Sequence, residues 1–480
     1  MIIVGRKEEK QILTDISQSK RPEFLIVYGR RRVGKTYLIK EFFNHDFSFY
    51  SSGILNANMD NQLKAFNNSL IEYGSTETKK TKNWFEAFNR LKHLIEDTDK
   101  KDLVTGKKII FLDEVPWMDT KKSDFKSALD YFWNTYASSN PDILLIVCGS
   151  ATSWIIDNVI HNKGGLHNRI TNSIHLTQFS LSEVSEYLHS RNIQYTKKQI
   201  IELYMILGGV PYYLSLLEKD LSFASNIDKL FVGSNAPLKK ENEYLYRALF
   251  ESPEKYISII KALANGSRAG MTRTDLIKES GQIDNGNFSR KIDELEECGF
   301  IRKYKPFGKI TKNCLIQLMD NFTLFYYKFL ESSPTDENFF SSIINTPEWF
   351  SWSGLAFERV CLEHIKQIKK ELQIGGVKTD VCSFYTKRDE ESGIYGSQID
   401  LLMVRKDDTI NLCEMKFSNK SYLVTNKDIE RMEIKRSDLK VVTKTKYSII
   451  PTLIVSPNVT RNAYSDEFNS IIESDALFKQ

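Results

Sequence analysis

The chain has 480 residues, 41% of them hydrophobic and 27% charged, a balance that marks a globular protein and excludes a disordered or fibrous one. Lysine and arginine total 66 against 62 aspartate and glutamate, too small a surplus to argue for nucleic acid from global charge, so local clusters must carry that case. No apolar run approaches the roughly 20 residues of a membrane helix, the N-terminus shows no basic-then-apolar leader, and the six cysteines lack metal-ligand spacing, so a cytoplasmic chain of several domains is expected, with no membrane, zinc or disulfide.

The first informative stretch is IIVGRKEE, residues 2 to 9, with Gly5 and Arg6 at its centre. Residues 24 to 36, FLIVYGRRRVGKT, then form an apolar run that ends in G-x-x-x-x-G-K-T and passes into the helical pattern YLIKEFF. Gly29 and Gly34 let the backbone curl so that the N–H groups across Arg30, Arg31, Arg32 and Val33 face phosphates. Lys35 reaches the β and γ phosphates, and the Thr36 hydroxyl ligates Mg²⁺. This strand, loop and helix predict an ATP site with Mg²⁺ as cofactor.

Residues 57 to 98 carry two helical patterns separated by the polar STETKKTK, with Trp84, Phe85, Phe88 and Leu91 as core candidates. The next strand, KKIIFLDE, ends in Asp113, suited to holding Mg²⁺, and Glu114, suited to polarising the attacking water. A third run, DILLIVCGSATSW, ends in Ser150 and Thr152, either sensors of the γ-phosphate or an ordinary strand exit.

IIVGRKEE matches the hhGRxxE signature that precedes the phosphate loop in AAA+ ATPases of the origin-recognition type and in STAND ATPases. LGGVPYYL, residues 207 to 214, resembles the GxP motif by which a STAND lid meets nucleotide, here Gly209 and Pro211. With YGRRRVGKT, LDEVPW and CGSATSW, the first 330 residues resemble the archaeal-type ATPase family of prokaryotes. That resemblance implies an arginine finger at Arg169 in LHNRIT, directed to a neighbouring subunit of a homo-oligomer; a plain surface arginine is the other reading, and the second adjacent arginine common in the family is missing here.

From residue 255 the pattern is three short helices and two strands around KPFGK, the element order of a winged helix-turn-helix. Arg302, Lys303, Lys305, Lys309 and Lys312 with Tyr304 and Phe307 make a basic wing without acids, and Arg290 and Lys291 begin the third helix. DNA is the expected partner, although Asp293, Glu294, Glu296 and Glu297 on the same helix oppose it and such modules also serve as structural lids.

Residues 331 to 350, rich in Ser, Pro, Asn and Asp, read as a linker. A helix then carries Glu358 among Leu355, Phe357, Val360, Leu362 and Ile365, and the paired stretches GSQIDLLMVRK and TINLCEMKF carry Asp400, Glu414 and Lys416. Thirteen residues separate Asp400 from Glu414, enough for a strand end and a tight turn. Period two places Glu414 and Lys416 on one strand face. Helix with Glu, strand with Asp, then E-x-K resembles the PD-(D/E)XK nuclease core, with QID in place of PD. The resemblance implies that Asp400 and Glu414 bind Mg²⁺, that Lys416 orients or deprotonates water and that Glu358 assists, with His364, Lys435 or Arg436 in support. A degenerate binding fold and a solvated hairpin are the competing readings.

The expected architecture is therefore α/β: a P-loop AAA+-type ATPase core (1–205), a helical lid (206–254), a winged helix-turn-helix (255–330), a linker (331–350) and a restriction-endonuclease-like domain (351–480). The expected activity is ATP hydrolysis coupled to a Mg²⁺-dependent nuclease, in defence or mobile-element processing by family analogy. The alternative is a non-cleaving, ATP-switched regulator that grips DNA or protein.

Overall fold

The computed structural model describes residues 3–102, 105–150, 154, 168–250, 252–267, 270–308 and 314–479. Its contacts divide the chain into two compact units, Met1–Gln178 with Asp293–Cys298, and Phe179–Ile292 with Gly299–Gln480.

The first unit is built on a parallel sheet of β1 (Glu23–Gly29), β2 (Phe49–Ser52), β3 (Lys108–Asp113), β4 (Ile143–Ser150) and β5 (Asn172–His175), in the order β2-β3-β4-β1-β5. Its central strands are near-continuous apolar runs because both faces are covered, the usual pattern of a parallel sheet under helices. Alternation along each strand sends Phe24, Ile26, Ile110, Leu112, Leu145 and Val147 to one face, against the helices Met59–Glu72, Trp84–Asp97 and Phe125–Thr135. Leu25, Val27, Ile109, Phe111, Leu144 and Ile146 face the helices Lys7–Gln18 and Lys35–Phe42 on the other side. Trp84, Phe88 and Leu91 are buried, but Phe85 is 43% exposed and rests its ring against Tyr131. One step along a helix turns a side chain by about 100°, which carries Phe85 off the stripe that Trp84 occupies.

The strand order matters more than the strand count. Because β4 lies between β1 and β3, with Gly29 in register with Ser150 and Leu112 with Val147, the C-terminal ends of the three strands open side by side. In open parallel sheets that edge is where ligands bind.

The second unit begins with helices and ends in a mixed sheet. The helices Pro253–Asn265 and Arg273–Ser280, and the helix Gly286–Glu297 up to Ile292, accompany an antiparallel sheet of β6 (Met271–Thr272), β7 (Ile301–Tyr304) and β8 (Leu315–Leu318) in the order β6-β8-β7. The larger sheet contains β9 (Thr379–Tyr385), β10 (Gln398–Arg405), β11 (Thr409–Phe417), β13 (Ser448–Ser456) and β15 (Ser470–Glu473), ordered β15-β13-β11-β10-β9, and β12 (Tyr422–Leu423) pairs apart with β14 (Val459–Thr460). Strands β9, β10 and β11 run antiparallel, and β11, β13 and β15 parallel. One face buries Leu402, Val404, Leu412, Leu453 and Val455 under Met432 and Leu439 of the helix Asn426–Thr443. On the other, Leu401, Met403, Cys413 and Met415 join Phe357, Val360 and Cys361 of the helix Pro347–Glu363.

That second core reaches further than the sequence division foresees. The same cluster includes Leu181, Val184, Leu203, Leu207 and Tyr213 from the helical segment after residue 178, so the expected lid and the C-terminal sheet share one apolar interior. The expected boundary at 205 falls inside the helix Lys197–Leu207. The stretch read as a linker also folds: Phe339, Phe340 and Trp349 are buried, and Phe340 meets Trp349 edge-on at 5.4 Å. The short helix Phe339–Ile343 and the first turn of the helix Pro347–Glu363 turn these aromatics inward and leave the serines and acids outside. No helix among the described residues is long and apolar enough to cross a membrane.

Phe340→Ala is expected to lower the stability of the second unit by about 3–5 kcal/mol, the range for deleting a fully buried aromatic ring. Urea unfolding followed by tryptophan fluorescence checks this, since a solvated linker would leave the midpoint unchanged.

Candidate active sites

At the open end of the parallel sheet the phosphate-loop geometry follows from backbone sterics. Gly29 ends β1 at φ 148°, and a Cβ there would lie 2.1 Å from the Leu176 carbonyl oxygen, so no side chain fits. Gly34 continues the curl at φ 91° and leads into the helix Lys35–Phe42. The buried Lys35 ammonium donates to the Gly29 and Arg30 carbonyls at 3.2 and 3.0 Å. Beside it the Thr36 hydroxyl donates to the Asp113 carboxylate at 2.9 Å. Arg6 is buried and its Nη2 donates to the Val33 carbonyl at 3.1 Å, so the Gly5-Arg6 signature braces the loop from behind. Arg31 and Arg32 are part-exposed on the loop.

Glu114 follows Asp113 in the left-handed region, φ 46° and ψ 47°. Burial pushes its carboxyl above the ordinary range, nearby Lys35 works against that, Asp113 adds to it, and the Ser150 backbone N–H favours the anion. Ser150 thus meets Glu114 through its main chain; Thr152 lies outside the described residues. Arg169 is exposed, with Nε 3.7 Å from Asp130. Gly209 and Pro211 belong to the second unit, where Phe179 N–H donates to the Gly209 carbonyl at 2.7 Å and a Cβ on Gly209 would meet the Phe179 oxygen at 1.9 Å. Pro211 occupies the first turn of the helix Pro211–Ser215, where its missing N–H costs nothing.

On the larger sheet, β10 and β11 pair from Val404 opposite Ile410 to Leu401 opposite Cys413; Asp400 on β10 and Glu414 on β11 each lie one residue beyond that ladder. Strand β10 is bulged against β9 between Ile399 and Leu402, a feature that re-aims a side chain. Gln398 Nε2 donates to Asp400 at 2.7 Å. Glu414 accepts from Lys416 at 2.7 Å and from Lys435 at 2.6 Å, one lysine on each carboxylate oxygen. Burial pushes the Glu414 carboxyl up, but Lys435 and then Lys416 outweigh it and hold the group below its ordinary value. Glu358 lies on the helix covering the opposite sheet face, 3.8 Å from Arg359. Among the described residues no three acidic, histidine or cysteine side chains are gathered as a metal cage. The oxygen donors are of the hard type that Mg²⁺ takes, with both Glu414 oxygens engaged by lysine.

Several expected supports lie elsewhere. Arg436 pairs with Glu433 rather than Glu414. His364 is buried away from these carboxylates, its Nδ1 2.7 Å from the Val360 carbonyl and its Nε2 accepting the Leu181 N–H at 2.9 Å. The basic wing is not a uniform solvent face either. Lys303 and Lys305 are exposed, as is Arg290, and Lys291 is half-buried; Lys309 and Lys312 lie outside the described residues. Tyr304 is buried, Phe307 packs into the C-terminal core, and the Phe307 N–H donates to the Ser383 carbonyl at 2.7 Å, next to a Pro306–Ser383 bridge. The chain after β7 thus covers the free edge of β9, the common protection for an edge strand, and Arg302 is drawn inward with it. Composition had shown the charge of this strand but not its facing. Gln398, two positions before Asp400 on the same strand face, and the buried Arg359 carry signals that the sequence reading passed over.

Burial holds His364 neutral, with its pKa lowered from 6.5 to about 4. A pKa lowered on folding gives stability that is present above the unfolded value and lost as pH falls, here between pH 6.5 and about 4. His364→Gln is expected to flatten that part of the stability-versus-pH curve, read by urea unfolding across the window.

Residues 3–217 match a family model described as an ATPase domain predominantly from Archaea. The chain is 25% identical over 374 residues to uncharacterized protein MJECL04 of Methanocaldococcus jannaschii, covering 77% of this chain and 78% of that protein. It is also 48% identical over 42 residues to uncharacterized ATP-binding protein MJ0423 of the same organism, which covers 9% of this chain and 71% of that one. Among solved structures, the Walker-type ATPase of Pyrococcus abyssi is similar with 18% identity and a TM-score of 0.49, over 68% of this chain and 96% of the other.

Proposed function

On the premise that residues 3–217 form an archaeal-type P-loop ATPase domain, we propose that the chain hydrolyses ATP with Mg²⁺ and uses the cycle to control a C-terminal phosphodiesterase of the PD-(D/E)XK type acting on DNA. The observation that carries the ATPase half is the 2.9 Å contact between Thr36 and Asp113 beneath Lys35. A hydroxyl and a carboxylate brought together there suit Mg²⁺, which when bound offsets charge on the β and γ phosphates. Lys35 then neutralises phosphate charge, the loop N–H groups orient the chain of phosphates, and Glu114 orients the attacking water.

The C-terminal half rests on Asp400 and Glu414 each lying one residue beyond the paired β10–β11 ladder, with Lys416 bonded to Glu414. Those residues suit a hydrolytic site in which the carboxylates hold a cation and Lys416 positions water against phosphorus. The three helices with the β6-β8-β7 sheet act as a winged helix that brings DNA to it, through Arg290, Lys291, Lys303 and Lys305. A second reading is favoured by one observation: Lys416 and Lys435 already neutralise Glu414, as they would in a fold that grips nucleic acid without cutting it.

Lys35→Ala is expected to abolish ATP hydrolysis, and Glu114→Gln to leave nucleotide binding intact while slowing turnover by roughly 100-fold or more, as for loss of a general base. For the C-terminal half, wild type is expected to nick plasmid DNA in Mg²⁺, and Asp400→Ala and Lys416→Ala to abolish this. A wild type that cuts neither DNA nor RNA with ATP, ADP or no nucleotide selects the non-cleaving reading.

A further inference from the structure

Arg302, expected on the phosphate-contacting wing, is half-buried against neutral groups. Its Nε donates to Gln317 at 2.7 Å, and its guanidinium lies 4.3 Å above the Tyr304 ring. Tyr304 hydrogen-bonds Ser383 of β9, and β9 meets β10 at the bulge that contains Asp400. Gln317, Tyr304, Ser383 and the bulge therefore link Arg302 to the strand segment that carries Asp400, and the charges of Asp400 and Glu358 favour its charged form. Both acids favour the charged form of Arg359 as well, but its Nε is committed to the Leu318 carbonyl at 3.0 Å, which ties its helix to β8.

Arg302 differs from Arg359 in one decisive way. Among the described residues no carboxylate comes within ion-pair distance of Arg302, and only its Nε makes a hydrogen bond. Its orientation is fixed by an amide and an aromatic ring, both neutral, while its terminal nitrogens keep their donors. A planar fork held in this way matches a phosphodiester anion. Burial and the neighbouring Arg359 lower its pKa to about 10, so it stays charged at neutral pH.

We propose that Arg302, carried on β7, is a substrate-contacting residue of the C-terminal site: it binds a non-bridging oxygen of the phosphodiester placed beside Asp400. The strand read as a DNA-tracking wing thereby contributes to the site that handles the backbone. This rests on the C-terminal site being the one that engages phosphodiesters, whether or not it cleaves them.

The test compares wild type with Arg302→Ala, Arg302→Lys and the surface control Lys406→Ala, an exposed lysine paired with Asp380, all in the full chain, with thermal melts to verify folding. One arm measures plasmid cleavage in Mg²⁺, and the other measures binding of a fluorescein-labelled duplex by anisotropy in Ca²⁺. Arg302→Ala is expected to lower kcat of cleavage by roughly 100-fold, the usual loss of one transition-state donor, and to weaken duplex binding about 10-fold, as for one charge-assisted contact. Arg302→Lys is expected to recover part of both, and Lys406→Ala to leave kcat unchanged. If wild type cuts and folded Arg302→Ala cuts equally well, the role of Arg302 is overturned while the phosphodiesterase reading stands. If nothing cuts but duplex binding still falls in Arg302→Ala and not in Lys406→Ala, cleavage is lost as a function and Arg302 remains the phosphate ligand. Equal behaviour of wild type and Arg302→Ala in both arms refutes the proposal.

Discussion

The hydrogen bond from Thr36 to Asp113 spans 77 residues of sequence, and the chemistry of the first unit depends on it. It forms only because β4 is inserted between the strands that carry the two residues and holds their C-terminal ends level. The same insertion delivers the Ser150 main chain to Glu114. Glu114 in turn adopts a left-handed backbone conformation that costs on the order of 1–3 kcal/mol for a residue with a Cβ and persists only when its surroundings over-determine it. Strand β3 on one side and the short helix Val115–Met118 on the other supply that constraint. Arg6, bonded to Val33, adds a brace from the start of the chain.

The second unit shows the same economy in a different place. His364 ends the helix that carries Glu358 and accepts the first N–H of the helix Leu181–Ser190, so the segment leading to Gly209 and Pro211 and the helix over the C-terminal sheet are joined by a buried hydrogen bond and a shared apolar core. Close-packed interiors of this kind deform little.

What the sequence revealed and what it hid divide along a physical line. The phosphate loop was legible because its glycines, lysine and threonine act through local backbone geometry within a dozen residues. The pairing of Glu414 with Lys416 was legible for the same reason, being a consequence of period two on one strand. Phe339, Phe340 and Trp349 were obscured because the serines, prolines and asparagine around them dominate local composition, whereas their burial depends on helices far away in sequence. Arg302 was legible only as charge, because a strand's charge is written in its residues while the direction it faces depends on the docking of Phe307 on Ser383. Of the two readings of His364, a support of the site or a packed residue, its burial and its bond to the Leu181 N–H fit the packed one.

The central claim is that Lys35, Thr36 and Asp113 together hold the phosphates and Mg²⁺ of ATP. A crystal structure with Mg²⁺ and a non-hydrolysable ATP analogue tests it most directly. The expected result is nucleotide on the loop with the metal site beside Thr36 and Asp113, and Lys35 turned from the loop carbonyls to the phosphates. Nucleotide bound elsewhere, or a metal held without Thr36 and Asp113, would contradict it.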